Sequence, residues 1–400
     1  MTSSAVKSAT LMAGIPATNA ALYHRLRFLV GDPTALIDLQ LEDGNRHRIF
    51  ILRDIEMDRA RKHARADQVA CPADYAPSGG LSGDRETATA QAAAECLRQH
   101  NVTHVTGDRS LPLSYVDAAR TAGIEVSYDP ELGVQDRRAK DEQELQWLRE
   151  AQAMTEGAME MACRLVANAN ADAQGALHVD GAPLTSERLR TIVDQWFLQR
   201  AYDNPPAIIA GGPQGADCHD HGSGQLYTGQ PVIIDIFPRC QATRYNGDCT
   251  RTVVHGEIPA EISRMHAAVL AAKAAAEAAT RAGVSGEDVH AATSAAMLDH
   301  GFSMGLPGPD APTSYCAMTH GTGHGIGLDV HEPPLLDKKG PLLVVGDVLT
   351  IEPGLYCRDF GGVRVEDMVA VTADGCENFN RLPTGLDWRT TDVTDVTDKG

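Results

Sequence analysis

Hydrophobic and polar positions in the first third of the chain follow two rhythms. Ala35–Leu41 and His47–Arg53 read as strands, joined by a turn at Glu42-Asp43-Gly44-Asn45. Glu86–Gln99 and Ser114–Ala122 read as helices; each is followed by a short strand, at His104–Thr106 and Glu125–Tyr128. This alternation predicts an α/β domain with a mainly parallel sheet. The charge-rich stretch Gln135–Arg138 then marks a boundary.

Beyond it the helical period dominates. Lys140–Ala169 carries Leu145, Leu148, Ala151, Met154, Ala158, Met161 and Leu165 at intervals of three and four, which predicts one apolar face. Leu184–Arg200 is a second helix, opened by Thr185-Ser186. Glu257–Ala282 is an Ala-rich helix starting after Pro259 and stopped by Gly283, and Ser285–His300 is a helix capped by Ser285 and ended by Gly301. Ala207–Ala210 and Val232–Phe237 read as short apolar strands, and the chain from about Tyr315 is rich in glycine and in strands. The expected domains are 1–138, 139–389 and a polar, frayed tail at 390–400.

Charge narrows the partners. Lys plus Arg number 35 and Asp plus Glu 54, a formal net charge of −19, which repels phosphate backbones and anionic lipid. Nucleic acid and membrane surfaces are therefore not expected partners, and no apolar run is long enough to span a bilayer. The N-terminal stretch, interrupted by Pro16 and Asn19, does not read as a secretory signal. Nine scattered cysteines without a CxxC pair argue against a thiolate zinc site or a disulfide framework and for a reducing cytoplasm.

Candidate chemistry lies in acidic residues set in apolar strand patterns. Asp235 falls in Val232–Phe237, Asp248 heads a β-branched run thirteen residues later, and Glu352 and Glu366 repeat the arrangement fourteen residues apart. A carboxylate in a buried strand is costly unless a cation or several hydrogen bonds satisfy it. His324 stands in the glycine-dense segment His320-Gly321-Thr322-Gly323-His324-Gly325-Ile326-Gly327. Four carboxylates and one imidazole form an oxygen-rich set suited to Mn²⁺, Co²⁺, Fe²⁺ or Zn²⁺. Two such ions would neutralise the four anions, as in hydrolases whose paired metals sit about 3.5–4 Å apart.

The ordered set Asp235, then Asp248-Cys249-Thr250-Arg251-Thr252, then His320 through His331-Glu332, then Thr350-Ile351-Glu352-Pro353-Gly354-Leu355-Tyr356, then Val363-Arg364-Val365-Glu366-Asp367 resembles the pita-bread metallopeptidases. That family contains methionine aminopeptidase, aminopeptidase P, prolidase and creatinase. The resemblance runs from about Arg138 to Cys376 and is nearest the aminopeptidase P and prolidase branch; Lys140 and Glu144 in the junction helix resemble that branch too.

It implies an α+β protein: a C-terminal pita-bread fold with a curved antiparallel sheet, preceded by a smaller α/β domain like that of creatinase and prolidase, which in the family often dimerises. It also implies two divalent metal ions, Mn²⁺ first, held by Asp235, Asp248, His324, Glu352 and Glu366, with Asp248 and Glu366 bridging. The implied reaction is hydrolysis of the Xaa-Pro bond of a peptide substrate with proline in second position. Glu352 would be the proton shuttle, His331 would bond the substrate or its oxyanion, and His219 would bind substrate, with His221 its near neighbour. His320 would line the prolyl pocket or be structural, and Arg364 would orient the metal carboxylates or touch substrate. The Asp235–Asp248 offset is thirteen where many members have eleven, which implies a longer hairpin; Asn246, at offset eleven, competes with Asp248. A creatinase-like C–N hydrolase and a non-catalytic binding module on the same fold are the alternatives, and both have lost ligands that this chain retains.

Overall fold

Neighbouring residues of the central N-terminal strands point into two different cores. In this computed structural model, which describes residues 5–389, Leu11, Ile37 and Ile49 pack with Ala90, Ala93, Cys96, Leu97 and Tyr115. Their neighbours Met12, Leu36 and Phe50 pack with Leu22, Leu26 and Ala60. Successive side chains of a strand face opposite ways, so a sheet covered by helices on both faces needs this near-continuous apolar run. Helices Arg85–Gln99 and Leu113–Thr121 cover one face, and Ala20–Leu26 and Met57–His63 the other.

The sheet itself is mixed, not mainly parallel. Its order is Gln68–Ala70, Arg46–Ile51, Thr34–Leu41, Val6–Gly14, His104–Gly107, Glu125–Tyr128. The three longest strands pair antiparallel and only the short outer ones pair parallel. The sequence pattern missed Val6–Gly14, whose Ser8 and Thr10 blur its apolar character, although its second half is buried.

The chain divides into two compact units, one ending at Arg137 and the other beginning at Arg138. The expected tail at 390–400 lies outside the described residues. The second unit opens with helix Glu142–Ala167, fixed by a capping box in which Asp141 and Glu144 each accept the other's backbone N–H. Its buried stripe is not the one expected. Leu145, Met154, Met161 and Leu165 are only half-buried, while Gln152, Thr155 and Glu156 are buried. The helix packs on strands that supply polar partners as well as apolar surface, and this moves the stripe.

Three antiparallel strands, Ile208–Gly211, Pro231–Ile236 and Cys249–Val254, lie beside that helix and helix Ser186–Leu198. Two further sheets follow helices Ala260–Ala279 and Gly286–Asp299. One runs Ser303–Met304, Cys316–Met318, Gly354–Cys357, Gly361–Arg364; the other runs Glu332–Leu336, Gly323–Gly325, Val348–Ile351, Asp367–Val371, Cys376–Asn378. All their pairings are antiparallel except Ser303–Met304 with Cys316–Met318.

Candidate metal centre

The strand ladders bring the acidic residues of four segments to one cavity. Asp235 pairs with Thr250 across the Pro231–Ile236/Cys249–Val254 ladder, so its side chain has a fixed face. Asp248 stands at the head of Cys249–Val254, as expected, but the other two are not inside strands as the pattern suggested: Glu352 follows Val348–Ile351, and Glu366 lies in the break between Gly361–Arg364 and Asp367–Val371. A break frees the backbone from the strict alternation of the strand, and Pro353 after Glu352 has no N–H for a ladder. His324 is held in the short strand Gly323–Gly325, where a Cβ on Gly323 would lie 2.7 Å from the carbonyl carbon of Thr350.

All nine residues singled out from the sequence line a cavity of about 470 Å³: Asp235, Asp248, His324, Glu352, Glu366, His219, His331, His320 and Arg364. His221 lines it too. Asn246 does not; its amide donates to Gly327 O at 2.8 Å, which spends it on the glycine-rich segment. Between Asp235 and Asp248 the chain pairs Arg239–Cys240 with Tyr202–Asp203, and Asp248 lines the cavity.

The geometry fits divalent cations. One donor atom each from Asp248, His324 and Glu366 lie within 4.8 Å of one another, and all three residues are buried. His324 Nδ1 sits 3.1 Å from Gly325 O, which places the ring proton there. Its Nε2 then turns a lone pair toward Glu352 Oε1 at 3.5 Å and Asp248 Oδ2 at 3.8 Å. Lone pair facing carboxylate is repulsive unless a cation stands between them. Asp235 Oδ1 is buried without a hydrogen-bond partner, a further acceptor aimed into the site.

The electrostatics agree. Burial, and after it Glu366, Asp235 and Glu352, push Asp248 well above the ordinary carboxylate range. Burial, Glu352 and Asp235 do the same to Glu366. Burial raises Glu352 to about 7 against the opposing pull of Arg364. Burial and His331 hold His324 down to about 4, so it is neutral, the form that ligates. The three raised carboxylates are what burial beside other anions produces when counter-charge is short, while the lowered His324 reflects burial and its histidine neighbour.

Among the described residues Arg364 is the only lysine or arginine that lines the cavity, and it is buried. Its guanidinium donates to Asp235 Oδ2 at 2.6 Å, Tyr356 Oη at 3.0 Å, Cys218 O at 3.1 Å and Thr250 Oγ1 at 3.2 Å. Thr250 in turn donates to Glu366 Oε2 at 2.7 Å. Two carboxylates are thus oriented from one cation. His320 is saturated by protein: Nδ1 is 2.8 Å from Gly321 O and Nε2 2.7 Å from Tyr356 Oη. The rings of His324 and His331 stand 4.2 Å apart, with His331 exposed toward the opening. His219 is also exposed, and it is among the neighbours that lower His320 and His331.

Sequence reasoning missed Tyr356, which sits between His320 and Arg364, and Gln152, whose amide holds both backbone groups of Asp248. Tyr356 stood in the quoted Glu352–Tyr356 motif without a role. Gln152 is a polar residue on a buried helix stripe, a signal that was present and unread.

A match to the family described as Metallopeptidase family M24 runs over residues 146–373. The chain is 36% identical over 179 residues to a probable dipeptidase PepE of Mycobacterium tuberculosis, covering 44% of each chain. It is 31% identical to an Xaa-Pro dipeptidase of Pyrococcus horikoshii, covering 44% of this chain and 46% of that one. It is 29% identical to Xaa-Pro aminopeptidase 1 of Streptomyces coelicolor, covering 70% of this chain and 58% of that one. The chain thus spans about half the length of the curated relatives it matches. Among solved structures, an Xaa-Pro dipeptidase from Bacillus anthracis superposes with a TM-score of 0.76 at 21% identity over 95% of this chain and 94% of that one. The prolidase of Pyrococcus horikoshii gives 0.74 at 20% over 95% of both. These likenesses show the fold, and it is the expected pita-bread fold.

Proposed function

Because the chain belongs to metallopeptidase family M24, whose match covers more than half of it, we propose that it is a dinuclear metal-dependent exopeptidase. Its substrates are peptides or dipeptides in which proline follows the N-terminal residue. Asp235, Asp248, His324, Glu352 and Glu366 would hold two divalent ions; the four oxygen donors to one nitrogen favour manganese over cobalt, zinc or iron. Such ions supply Lewis acidity toward the attacking water and the scissile carbonyl.

The chain's own groups do the rest. Glu352, on the cavity lining with Oε1 3.5 Å from His324 Nε2, is placed to take a proton from the attacking water and pass it to the leaving prolyl nitrogen. His331, exposed beside His324, is placed to hydrogen-bond the oxygen that gains charge in the transition state. His219, exposed on the cavity lining, binds substrate. His320 has its nitrogens satisfied, so it offers a ring face to the proline and a partner to Tyr356. Arg364 is a positioning residue that holds Asp235 and, through Thr250, Glu366.

The observation that carries this reading is the convergence of buried Asp248, His324 and Glu366 on one point. The names of the relatives, dipeptidase and aminopeptidase, support Xaa-Pro cleavage, and substrate length separates the two. Assaying Ala-Pro against Ala-Pro-Ala with Mn²⁺, before and after chelation, tests both points. Chelator-sensitive release of alanine supports the proposal; no cleavage of either peptide after Mn²⁺ reconstitution rejects it. A homodimer in a reducing cytoplasm completes the proposal, supported on the second point by nine unpaired cysteines. No described helix is long and apolar enough to cross a membrane.

A further inference from the structure

The two carboxylates read as bridging stand at strand breaks; Glu366 N–H still donates to Thr250 O at 3.1 Å, whereas the backbone of Asp248 is not held by a ladder bond. At Asp248 a side chain takes the ladder's place. Asp248 N–H donates to Gln152 Oε1 at 2.8 Å, and Gln152 Nε2 donates to Asp248 O at 2.7 Å. One amide thereby copies the paired bonds of a neighbouring strand. Nε2 also donates to Asn380 Oδ1 at 2.9 Å, and that oxygen accepts Met368 N–H at 2.8 Å, two residues past Glu366. A chain of two amides therefore ties the backbone of Asp248 to the strand that starts beside Glu366.

The neighbourhood is built around this contact. Gln152 is fully buried on helix Glu142–Ala167. That helix can approach because residue 247 is glycine; a Cβ there would lie 2.7 Å from Ala151 O. Its first turn is joined to the same segment by Tyr245 Oη, which donates to Glu144 Oε1 at 2.5 Å. A glutamine needed only for helix propensity would face solvent, since burying an amide is tolerated only when its hydrogen bonds are met.

We propose that Gln152, acting with Asn380, is a positioning residue for the metal pair: the two-amide chain fixes the distance between Asp248 and Glu366 and so determines whether a second ion binds. This rests on the dinuclear reading above. Groups behind metal ligands change metal affinity by roughly 10–100-fold when removed. Both ions would share Asp248 and Glu366; one keeps His324 and Glu352 besides and the other only Asp235, so loss of the chain weakens the ion beside Asp235, the second to bind, more than the first.

The test is a competition titration of Mn²⁺ into chelator-stripped full-length protein, with electron paramagnetic resonance of the bound metal. The unaltered protein, Gln152→Met and Asn380→Ala are compared after circular dichroism has established that each is folded. The expected result is two ions on the unaltered protein with an exchange-coupled Mn–Mn signal. Both variants keep one ion near its original affinity, lose about 10–100-fold in the second, and show uncoupled Mn²⁺ at stoichiometric metal. If Gln152→Met fails to fold, Asn380→Ala, altered at a half-buried position, carries the test. A folded variant that binds two ions with unchanged affinity and coupling overturns the inference and leaves the peptidase reading standing. Fewer than two ions on the unaltered protein overturns the dinuclear reading, and the inference with it.

Discussion

Stripping the metal should make stability depend on pH in a definite direction. In the metal-free fold Glu352 titrates at about 7, raised from 4.5. The folded state therefore keeps a proton that the unfolded chain releases, so its contribution is full below about pH 4.5 and is lost as pH rises toward 7. The loss amounts to about 3 kcal/mol. Asp248 and Glu366 are raised in the same sense and deepen it. With dications bound, the same carboxylates are ionised and paired, and the loss disappears. His324 and His320, both lowered to about 4, stay neutral with or without metal over this range and cancel from the comparison.

The gain in melting temperature on adding Mn²⁺ should therefore grow from about pH 5 to about pH 8. At about 2–4 °C per kcal/mol the growth is about 6–12 °C. Differential scanning fluorimetry in Mn²⁺ and in chelator at each pH reads it directly. A gain that is flat, or that shrinks as pH rises, would refute the claim that these carboxylates are crowded for want of a counter-charge.

Three further outcomes follow from the same geometry. Asp248→Asn should lower Xaa-Pro turnover by at least about 100-fold, the upper end expected for a lost metal contact, while circular dichroism stays unchanged; near-normal turnover excludes it as a ligand. His331→Ala should lower kcat by about 100–1000-fold, the cost of one transition-state donor, and spare metal content measured by mass spectrometry; loss of metal would mean the ligating histidine is misassigned. Arg138→Met should destabilise the second unit by about 3–5 kcal/mol in urea unfolding, because buried Asp347, which accepts from Arg138 at 3.0 and 2.6 Å, is left unpaired; a change below about 1 kcal/mol contradicts that pairing.

The candidate site was more legible than the scaffold that holds it. The acidic positions stood out because a carboxylate in an apolar strand pattern has few explanations, and all of those named line one cavity. Their exact setting was less legible. The strand pattern put Glu352 and Glu366 inside strands, but both stand at breaks, which a pattern of side-chain polarity does not reveal. Exposed Ser8 and half-buried Thr10 hid Val6–Gly14, and the stripe of Glu142–Ala167 was misplaced since Gln152 and Thr155 look solvent-facing until their partners are known. Thr155 bonds Ala151 O and Gln152 bonds Asp248, so both are polar residues that belong to the interior. The partner of Gln152 comes from a segment 96 residues away, which no local window contains.

The most direct measurement is anomalous X-ray scattering from crystals grown with abundant Mn²⁺. The account expects two strong peaks in the cavity, both bounded by Asp248 and Glu366, one also by Asp235 and the other by His324 and Glu352. A cavity without peaks, or with these side chains turned apart, would contradict it.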